Sequence, residues 1–224
     1  KQRYQSQGKT LFRVNHFKQH NLSYHLQNSL FNELYRCLDQ VQLLIFCDFS
    51  YGVLQQKFID RVSVACKKKN IMIAADSQCS SQIGDITRFK MANLITPTEH
   101  EARLSLKNYE DELEILAKKL YQQTHSQHII ITLAEQGIHI HSTDNVSQKT
   151  KIDELKAFSV SPIDVKGAGD SLLAMTALAM CSGASVWEGA YLGSIAAACQ
   201  VNQIGNTPLS IEQIKNRMLL EDIG

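Results

Sequence analysis

The sequence lacks any apolar run long enough to cross a membrane as a helix. A membrane-spanning helix needs about 20 consecutive apolar residues. The most apolar stretch, residues 171–181, is shorter and predicts a buried helix. We therefore expect no membrane partner and a cytoplasmic location.

An excess of charge of one sign is also missing. The formal net charge of the 224 residues is +1, so nothing in the charge balance favours nucleic acid or an anionic membrane as a partner. Proline is scarce, with three residues, and we find no repeat, low-complexity tract or long linker. A chain of this length can bury the core of one α/β domain.

The six cysteines form neither a disulfide framework nor a zinc motif. They stand at positions 37, 47, 66, 79, 181 and 199, without a Cys-x-x-Cys pair and without histidine at zinc spacing. Several lie in apolar runs and predict small hydrophobic side chains in a reducing compartment. His139 and His141 share one face of a predicted strand, and without a third ligand we expect them to face water.

What the sequence does contain is an alternation of short apolar runs and helical stripes. This pattern predicts a mostly parallel sheet covered by helices on both faces. Leu43 to Cys47 reads as a strand buried on both faces. The predicted elements are a hairpin over 2–14, strands over 43–47, 71–75, 94–96, 128–133 and 138–141, and helices over 26–38, 53–69, 98–106, 110–123, 169–181, 186–200 and 210–220.

A glycine loop precedes the helix predicted at 169–181. Gly167, Ala168 and Gly169 carry almost no side chain, so their N–H groups can surround a phosphate at the positive end of the helix dipole. Asp170 follows at once, and a carboxylate there suits a base beside a phosphoryl group in transfer. The alternative is an ordinary strand-to-helix turn in which Asp170 or Ser171 caps the helix.

Polar residues follow each predicted strand of the sheet. In open α/β sheets, ligands bind beyond the carboxyl ends of the strands. Any one polar strand end is explained by contact with water, but the repetition predicts a site. The residues concerned are Asp48, Asp76, Thr96, Glu101, Thr132, Glu135 and the 164–170 segment.

Three of these segments resemble the ribokinase-like (PfkB) carbohydrate kinases. Asp-Val-Lys-Gly-Ala-Gly-Asp at 164–170 is similar to the family's C-terminal signature. Residues 94–101 resemble its Thr-Pro-Asn-x-x-Glu stretch, and residues 129–137 its strand and turn before the nucleotide. Residues 1–4, 11–15 and 47–52 resemble, less strongly, the branch that phosphorylates heptose 7-phosphate. The resemblance extends to about residue 210.

The resemblance implies a three-layer α/β/α fold and transfer of a phosphoryl group from ATP to a sugar or sugar phosphate. It implies Asp170 as the base, the N–H groups of Gly167, Ala168 and Gly169 as the anion hole, and Mg²⁺ on the phosphates. The metal would be organised by Glu101 through water, together with Thr98. The implied nucleotide contacts are Thr132, Glu135, Gly137, Asp164 and Ser194, with Asp48 and Asp76 as further acidic residues of the site.

The sequence departs from the family pattern at several positions. Thr98 and Ser194 stand where relatives often carry Asn, and Asp-Ser-Gln follows the second strand where heptose kinases have Asp-Pro-Lys. Lys166 replaces Thr or Ser beside a loop where many members bind K⁺. Its ammonium could replace that ion, reach the phosphates or point into solvent.

The resemblance also implies that this chain is the C-terminal portion of a kinase domain, without the family's N-terminal strands. Residues 1–15 are then a lid or edge hairpin, and residues 16–224 the nucleotide-binding core. Either this chain is a fragment, or the missing part is supplied by another chain or was removed. A fragment alone is expected to turn over no sugar. Two other functions stay open: a catalytically incompetent nucleotide-binding fragment or scaffold, and a kinase of a nucleoside or pyridoxal. The resemblance leaves room for a homodimer.

Overall fold

The structure is a computed structural model that describes residues 2–6, 9–14, 20–78, 84–144, 147–158, 162–205 and 207–221. Eight strands and seven α-helices lie in these ranges. The strands are β1 Gln2–Ser6, β2 Lys9–Val14, β3 Leu43–Asp48, β4 Met72–Ser77, β5 Leu94–Ile95, β6 His128–Thr132, β7 Ile138–Thr143 and β8 Thr150–Leu155. The helices are α1 Tyr24–Cys37, α2 Gln56–Lys68, α3 Glu99–Leu106, α4 Leu113–Thr124, α5 Ala168–Cys181, α6 Val186–Val201 and α7 Ile211–Glu221.

The central sheet has six strands in the order β3-β4-β5-β6-β7-β8. The pairings from β3 to β6 are parallel, and β7 and β8 continue the sheet antiparallel. The predicted mostly parallel α/β sheet is therefore confirmed. Because β3, β4, β5 and β6 run in one direction, their carboxyl ends meet at one edge of the sheet.

Helices cover both faces of this sheet. Successive residues of a strand point to opposite faces, so they pack against different helix layers. Ile73 and Ile95 pack against α2, α3 and α4 in one core cluster. Ala74 and Leu94, their neighbours in sequence, pack against α5 and α6 in the other. The sheet lies between two layers of helices, which is the predicted α/β/α arrangement.

Helices α5 and α6 approach closely, and small residues make this approach feasible. A Cβ placed on Gly193 would lie 2.2 Å from the Thr176 hydroxyl oxygen and 2.8 Å from the Leu172 carbonyl oxygen. Gly189 lies one turn away against the Thr176 carbonyl. This contact fixes the orientation of α5, and with it the glycine loop at the start of that helix.

Strand β3 differs from the expectation of burial on both faces. Leu43, Leu44 and Ile45 are half-buried, and Cys47 is exposed. The continuous apolar run predicts an interior strand, but β3 is the last strand of the described sheet and has one neighbour, β4. A strand with a partner on one side only leaves part of its surface uncovered.

The expectation that His139 and His141 face water is wrong. Their exposed fractions are 3% and 2%. Strand β7 lies between β6 and β8, and the two histidines are on the face that α4 covers, where the Tyr121 ring lies 6.2 Å from that of His141. Burial lowers the pKa of His141, so the fold keeps this imidazole neutral.

The predicted N-terminal hairpin is present as the antiparallel pair β1 and β2, in which the rings of Tyr4 and Phe12 stack at 4.4 Å. Of the positions named above, Lys1, Asn15 and Cys79 lie outside the described residues. The five cysteines that are described are free thiols, and Cys66 alone among them is buried. No helix in the described ranges combines the length and apolarity of a membrane span.

Candidate active site

The glycine loop forms an uncapped helix N-terminus. Gly167 is the N-cap of α5 with φ of 79°, a left-handed conformation that favours glycine. Within the described residues no side chain hydrogen-bonds to this end, whereas Ser23 and Ser185 cap α1 and α6. The Ala168 N–H makes a long hydrogen bond of 3.5 Å to the Val165 carbonyl, and in the described part of the chain the Gly167 and Gly169 N–H groups remain available to an anion. The alternative in which Asp170 or Ser171 caps the helix is wrong.

Space is available at this helix end. A Cβ built on Gly169 would have no described heavy atom within 4 Å beyond its own chain neighbours and helix. Ser171 makes the first main-chain bond of the helix, donating to the Gly167 carbonyl at 2.9 Å. A phosphoryl group could thus approach the loop without displacing a side chain.

Asp170 is held by a residue from the sheet. The side-chain amide of Gln78, just beyond β4, donates to Asp170 Oδ1 at 3.2 Å. Burial raises the pKa of Asp76 and of Cys47, and the nearby Asp170 charge adds to the rise in both groups. The candidate base therefore lies at the carboxyl edge of the parallel strands.

Asp76 is the most strongly perturbed acid of the site. It is 8% exposed at the end of β4. Burial, followed by the charges of Glu101, Asp170 and Asp48, raises the pKa of Asp76 to about 7. Four carboxylates from different segments thus share one region, as predicted from the polar strand ends, and a perturbed acid there is typical of a functional site.

Asp48 is paired rather than open to a ligand. The Arg88 guanidinium lies 2.8 Å from Asp48 Oδ2, and the Ser50 N–H donates to Oδ1 at 2.8 Å. Arg88 also donates to the Leu54 carbonyl. Asp48 is 4% exposed, so the ion pair compensates a buried charge at the end of β3.

Glu101 and Thr98 form a capping box at the start of α3. The Thr98 N–H and hydroxyl each donate to Glu101 Oε2 at 2.8 Å, and the Glu101 N–H donates to the Thr98 hydroxyl at 3.2 Å. The box fixes a buried carboxylate beside the site. Within the described ranges, no three His, Cys, Asp or Glu side chains are close enough to hold a metal ion by themselves.

A cavity of about 540 Å³ opens beside the glycine loop. Its walls are mainly apolar, and it reaches from α3 and the β6–β7 turn to α5 and α6. Gly169 of the glycine loop lines the cavity, and Asp170 is the next residue in the chain. The lining residues are Thr98, Glu99, His100, Thr132, Leu133, Ala134, Glu135, Gln136, Gly137, Ile138, Ala157, Phe158, Pro162, Val165, Ala168, Gly169, Leu172, Ser194, Ala197, Ala198 and Val201.

Four of the five predicted nucleotide residues line this cavity: Thr132, Glu135, Gly137 and Ser194. Ser194 is buried, and within the described residues its hydroxyl has no hydrogen-bond partner. Glu135 is exposed on a short 3₁₀ turn before Gly137. An apolar cavity with one unsatisfied hydroxyl suits a flat heterocycle with polar edges.

Asp164, the fifth, is not among the residues that line the cavity, and it contacts Lys166, the residue before the glycine loop. Its Oδ2 accepts the Lys166 ammonium at 3.1 Å and the Gly205 N–H at 3.2 Å. Desolvation works against ionisation of this carboxyl, but the bonds from Lys166 and Gly205 outweigh it and hold the pKa of Asp164 below its ordinary value. Lys166 is therefore anchored next to the anion loop rather than free in solvent.

Sequence reasoning missed two residues of the site, Gln78 and Arg88. Each contacts a predicted acid across a long stretch of sequence, 92 residues for Gln78 with Asp170 and 40 for Arg88 with Asp48. Two signals could have placed Gln78 at the same edge: it follows Asp76 at strand spacing, and it ends the Asp-Ser-Gln segment compared above with Asp-Pro-Lys. Nothing local singles out Arg88.

The sequence profile described as pfkB family carbohydrate kinase matches residues 5–213 of this chain. The chain is 34% identical over 192 residues to the Bifunctional protein HldE of Campylobacter jejuni subsp. jejuni, covering 83% of this chain and 39% of that protein. It is 28% identical to the protein of the same name from Sulfurimonas denitrificans, covering 83% and 37%. The chain therefore spans about two fifths of the length of these curated relatives.

Solved structures show the same fold. Phosphofructokinase-2 from Escherichia coli in complex with substrates and products superposes with a TM-score of 0.71 at 17% identity, covering 96% of this chain and 67% of that one. The same enzyme in complex with potassium gives 0.69 at 15% identity, covering 85% and 62%. Ribokinase from Thermotoga maritima gives 0.64 at 18% identity, covering 83% and 59%.

Proposed function

This chain belongs to the pfkB family of carbohydrate kinases, and we propose that it transfers the γ-phosphate of ATP to a hydroxyl of a sugar or sugar phosphate. The observation that carries the proposal is the uncapped start of α5 beside the cavity, with Asp170 in its first turn. An anion hole and a carboxylate in one turn are the two groups that phosphoryl transfer to a hydroxyl needs.

Asp170 acts as the general base in this proposal. The acceptor hydroxyl gives its proton to the Asp170 carboxylate while its oxygen bonds to the γ-phosphorus, and the bond from that phosphorus to the ADP oxygen breaks. The N–H groups of Gly167, Ala168 and Gly169 donate to the phosphoryl oxygens as charge develops. Thr132, Glu135, Gly137 and Ser194 hold the nucleotide in the cavity, and Asp164 contacts Lys166, the residue before the glycine loop.

Mg²⁺ would neutralise the β- and γ-phosphate oxygens when bound. Glu101 fits a contact through water, because the capping box fixes its carboxylate and its charge reaches Asp76. Thr98 fits a supporting part, since its hydroxyl is both donor and acceptor to Glu101. Asp76 and Asp48 lie at the same edge, where Asp76 faces the reacting groups and Asp48 is neutralised by Arg88.

We infer a phosphorylated heptose or a similar sugar phosphate as acceptor, from the resemblance of residues 1–4, 11–15 and 47–52 to the heptose 7-phosphate branch. Incubating the protein with ATP, Mg²⁺ and a panel of sugar phosphates, nucleosides and pyridoxal tests this. ³¹P NMR identifies the new phosphate ester, and ADP release gives the rate. Transfer to pyridoxal or a nucleoside alone would contradict the sugar assignment, and binding of ATP without any transfer would support the scaffold alternative.

ATP should raise the melting temperature of this chain. A ligand at 100 times its Kd contributes about 2.7 kcal/mol, which for a domain of this size corresponds to about 5–10 °C. Differential scanning fluorimetry with ATP, adenosine and inorganic triphosphate measures the shift. We expect ATP to exceed both fragments, because the loop and the cavity each bind one part of it. An equal shift with triphosphate alone would show that the adenine ring does not bind in the cavity.

Lys166 should make the active enzyme nearly independent of K⁺. The Lys166 ammonium already forms an ion pair with the Asp164 carboxylate beside the loop. Lys166→Thr removes that charge, so we expect K⁺ to become necessary and activity without it to fall about tenfold. Titrations of KCl, NaCl and choline chloride at constant ionic strength separate specific binding from screening. Strong activation of the unmodified enzyme by K⁺ would show that Lys166 does not replace the ion.

A further inference from the structure

Gln78 is the residue that joins the sheet to the candidate base. Its side-chain amide nitrogen lies 3.2 Å from Asp170 Oδ1. An amide N–H that meets a carboxylate oxygen can only donate to it, so the direction of this bond is certain. Among the described residues, Asp170 Oδ2 accepts no hydrogen bond.

The main chain at Gln78 is fixed independently of Asp170. Its N–H donates to the Asp48 carbonyl at 2.9 Å, which extends the β3–β4 pairing one residue beyond the strands. A Cβ on Gly84 would lie 2.8 Å from the Gln78 carbonyl oxygen, so a second segment packs tightly behind it. Ser77, fully buried, accepts the Asp85 N–H. The side chain of Gln78 therefore starts from a rigid point.

The surroundings of Asp170 make such a contact useful. Asp76 from β4 and Cys47 from β3 face the same region, and both are influenced by the Asp170 charge. A carboxylate near another acid would turn away without a donor to hold it. The Gln78 amide is a donor that carries no charge, so it orients the base without the strong attraction of a cation, which would weaken it.

We propose that Gln78 is a positioning residue for Asp170: its amide holds Oδ1 and leaves Oδ2 directed at the acceptor hydroxyl. The inference rests on the proposed phosphotransfer, which gives Asp170 its task. Gln78 touches no reacting atom and acts through the base alone. Its removal should therefore change the rate of transfer and its pH dependence, and leave nucleotide binding as it is.

The test compares three substitutions at this position. Gln78→Met keeps the length of the side chain and removes the donor, Gln78→Glu replaces it with a second carboxylate, and Gln78→Lys restores a donor with positive charge. We expect kcat to fall about tenfold or more in the first two, with KM for ATP within about twofold of wild type. Gln78→Lys should retain more activity, with the acidic limb of its pH–rate profile at lower pH. Gln122→Met, on the exposed surface of α4, is the control.

A second readout works without turnover. In protein labelled with ¹³C at the aspartate carboxyls, the Asp170 titration midpoint should rise in Gln78→Met and Gln78→Glu and fall in Gln78→Lys. Unchanged midpoints and unchanged kcat in these variants would overturn the proposal, as would a loss of rate that only follows a loss of folded protein. A wild type that phosphorylates no acceptor would defeat the proposed function, and the carboxyl titration would still decide the position of Gln78.

Discussion

Replacing Asp170 by Asn should abolish phosphoryl transfer while ATP binding stays intact. Asparagine keeps the shape of the side chain and an oxygen that can accept the Gln78 amide, so the geometry of the loop is retained. What disappears is the basic oxygen that takes the proton of the acceptor. General-base catalysis contributes about 10²–10⁴-fold, so kcat should fall by at least about a hundredfold.

The measurement is ADP release in the presence of the acceptor, together with ATP affinity from calorimetry. Asp153→Asn, at an exposed position on β8 that does not line the cavity, removes a carboxylate outside the candidate site and serves as the matched control. We expect that control to turn over like wild type. If Asp170→Asn did so too, Asp170 would have no part in the mechanism.

Gly137→Ala should unfold the β6–β7 turn and destroy the cavity beside the glycine loop. Gly137 has φ of 107°, and a Cβ there would lie 2.0 Å from the Leu155 carbonyl oxygen and 2.8 Å from the Ala157 nitrogen. Both neighbours are main chain and cannot rotate away. Backbone strain of about 1–3 kcal/mol combines with this clash, so the loss of stability should be about 3 kcal/mol or more.

Gly183→Ala is the control that separates the two causes. Gly183 has a similar φ of 100°, but no described heavy atom beyond its chain neighbours lies within 4 Å of its Cβ position. We expect this variant to lose about 1 kcal/mol from strain alone. Urea unfolding of both proteins gives the difference, and fluorescence titration with an ATP analogue follows the cavity. Equal losses in the two variants would mean that Gly137 is needed for its φ and not for the close approach.

Features of this protein that depend on local interactions could be predicted from the sequence, and features that depend on contacts between distant residues could not. Apolar periodicity located the helices and most strands to within a few residues, because backbone hydrogen bonding and the burial of one face are local properties. It missed β8, whose residues are mostly exposed and polar. The position of the glycine loop was also predicted from the sequence, because two glycines before an apolar run mark the start of a helix. Its role as an anion hole stays a prediction. Thr132, Gly137 and Ser194 were placed beside the nucleotide from the family resemblance, and the cavity brings these three residues together.

Which side chains are buried, and which pair with residues far away in the sequence, depends on the order of the strands in the sheet. The local sequence pattern does not specify that order. His139 and His141 are buried because β7 has neighbours on both sides and α4 above it, and β3 is partly exposed because it has one neighbour. Asp48 meets Arg88, and Asp170 meets Gln78, only where separate segments converge at the carboxyl edge. Thus the sequence by itself determined the helices, the strands other than β8, and the position of the glycine loop with the chemistry it suits. The tertiary structure alone decided which charges are compensated and what holds the base, because those contacts join residues whose distance in sequence carries no signal of their distance in space.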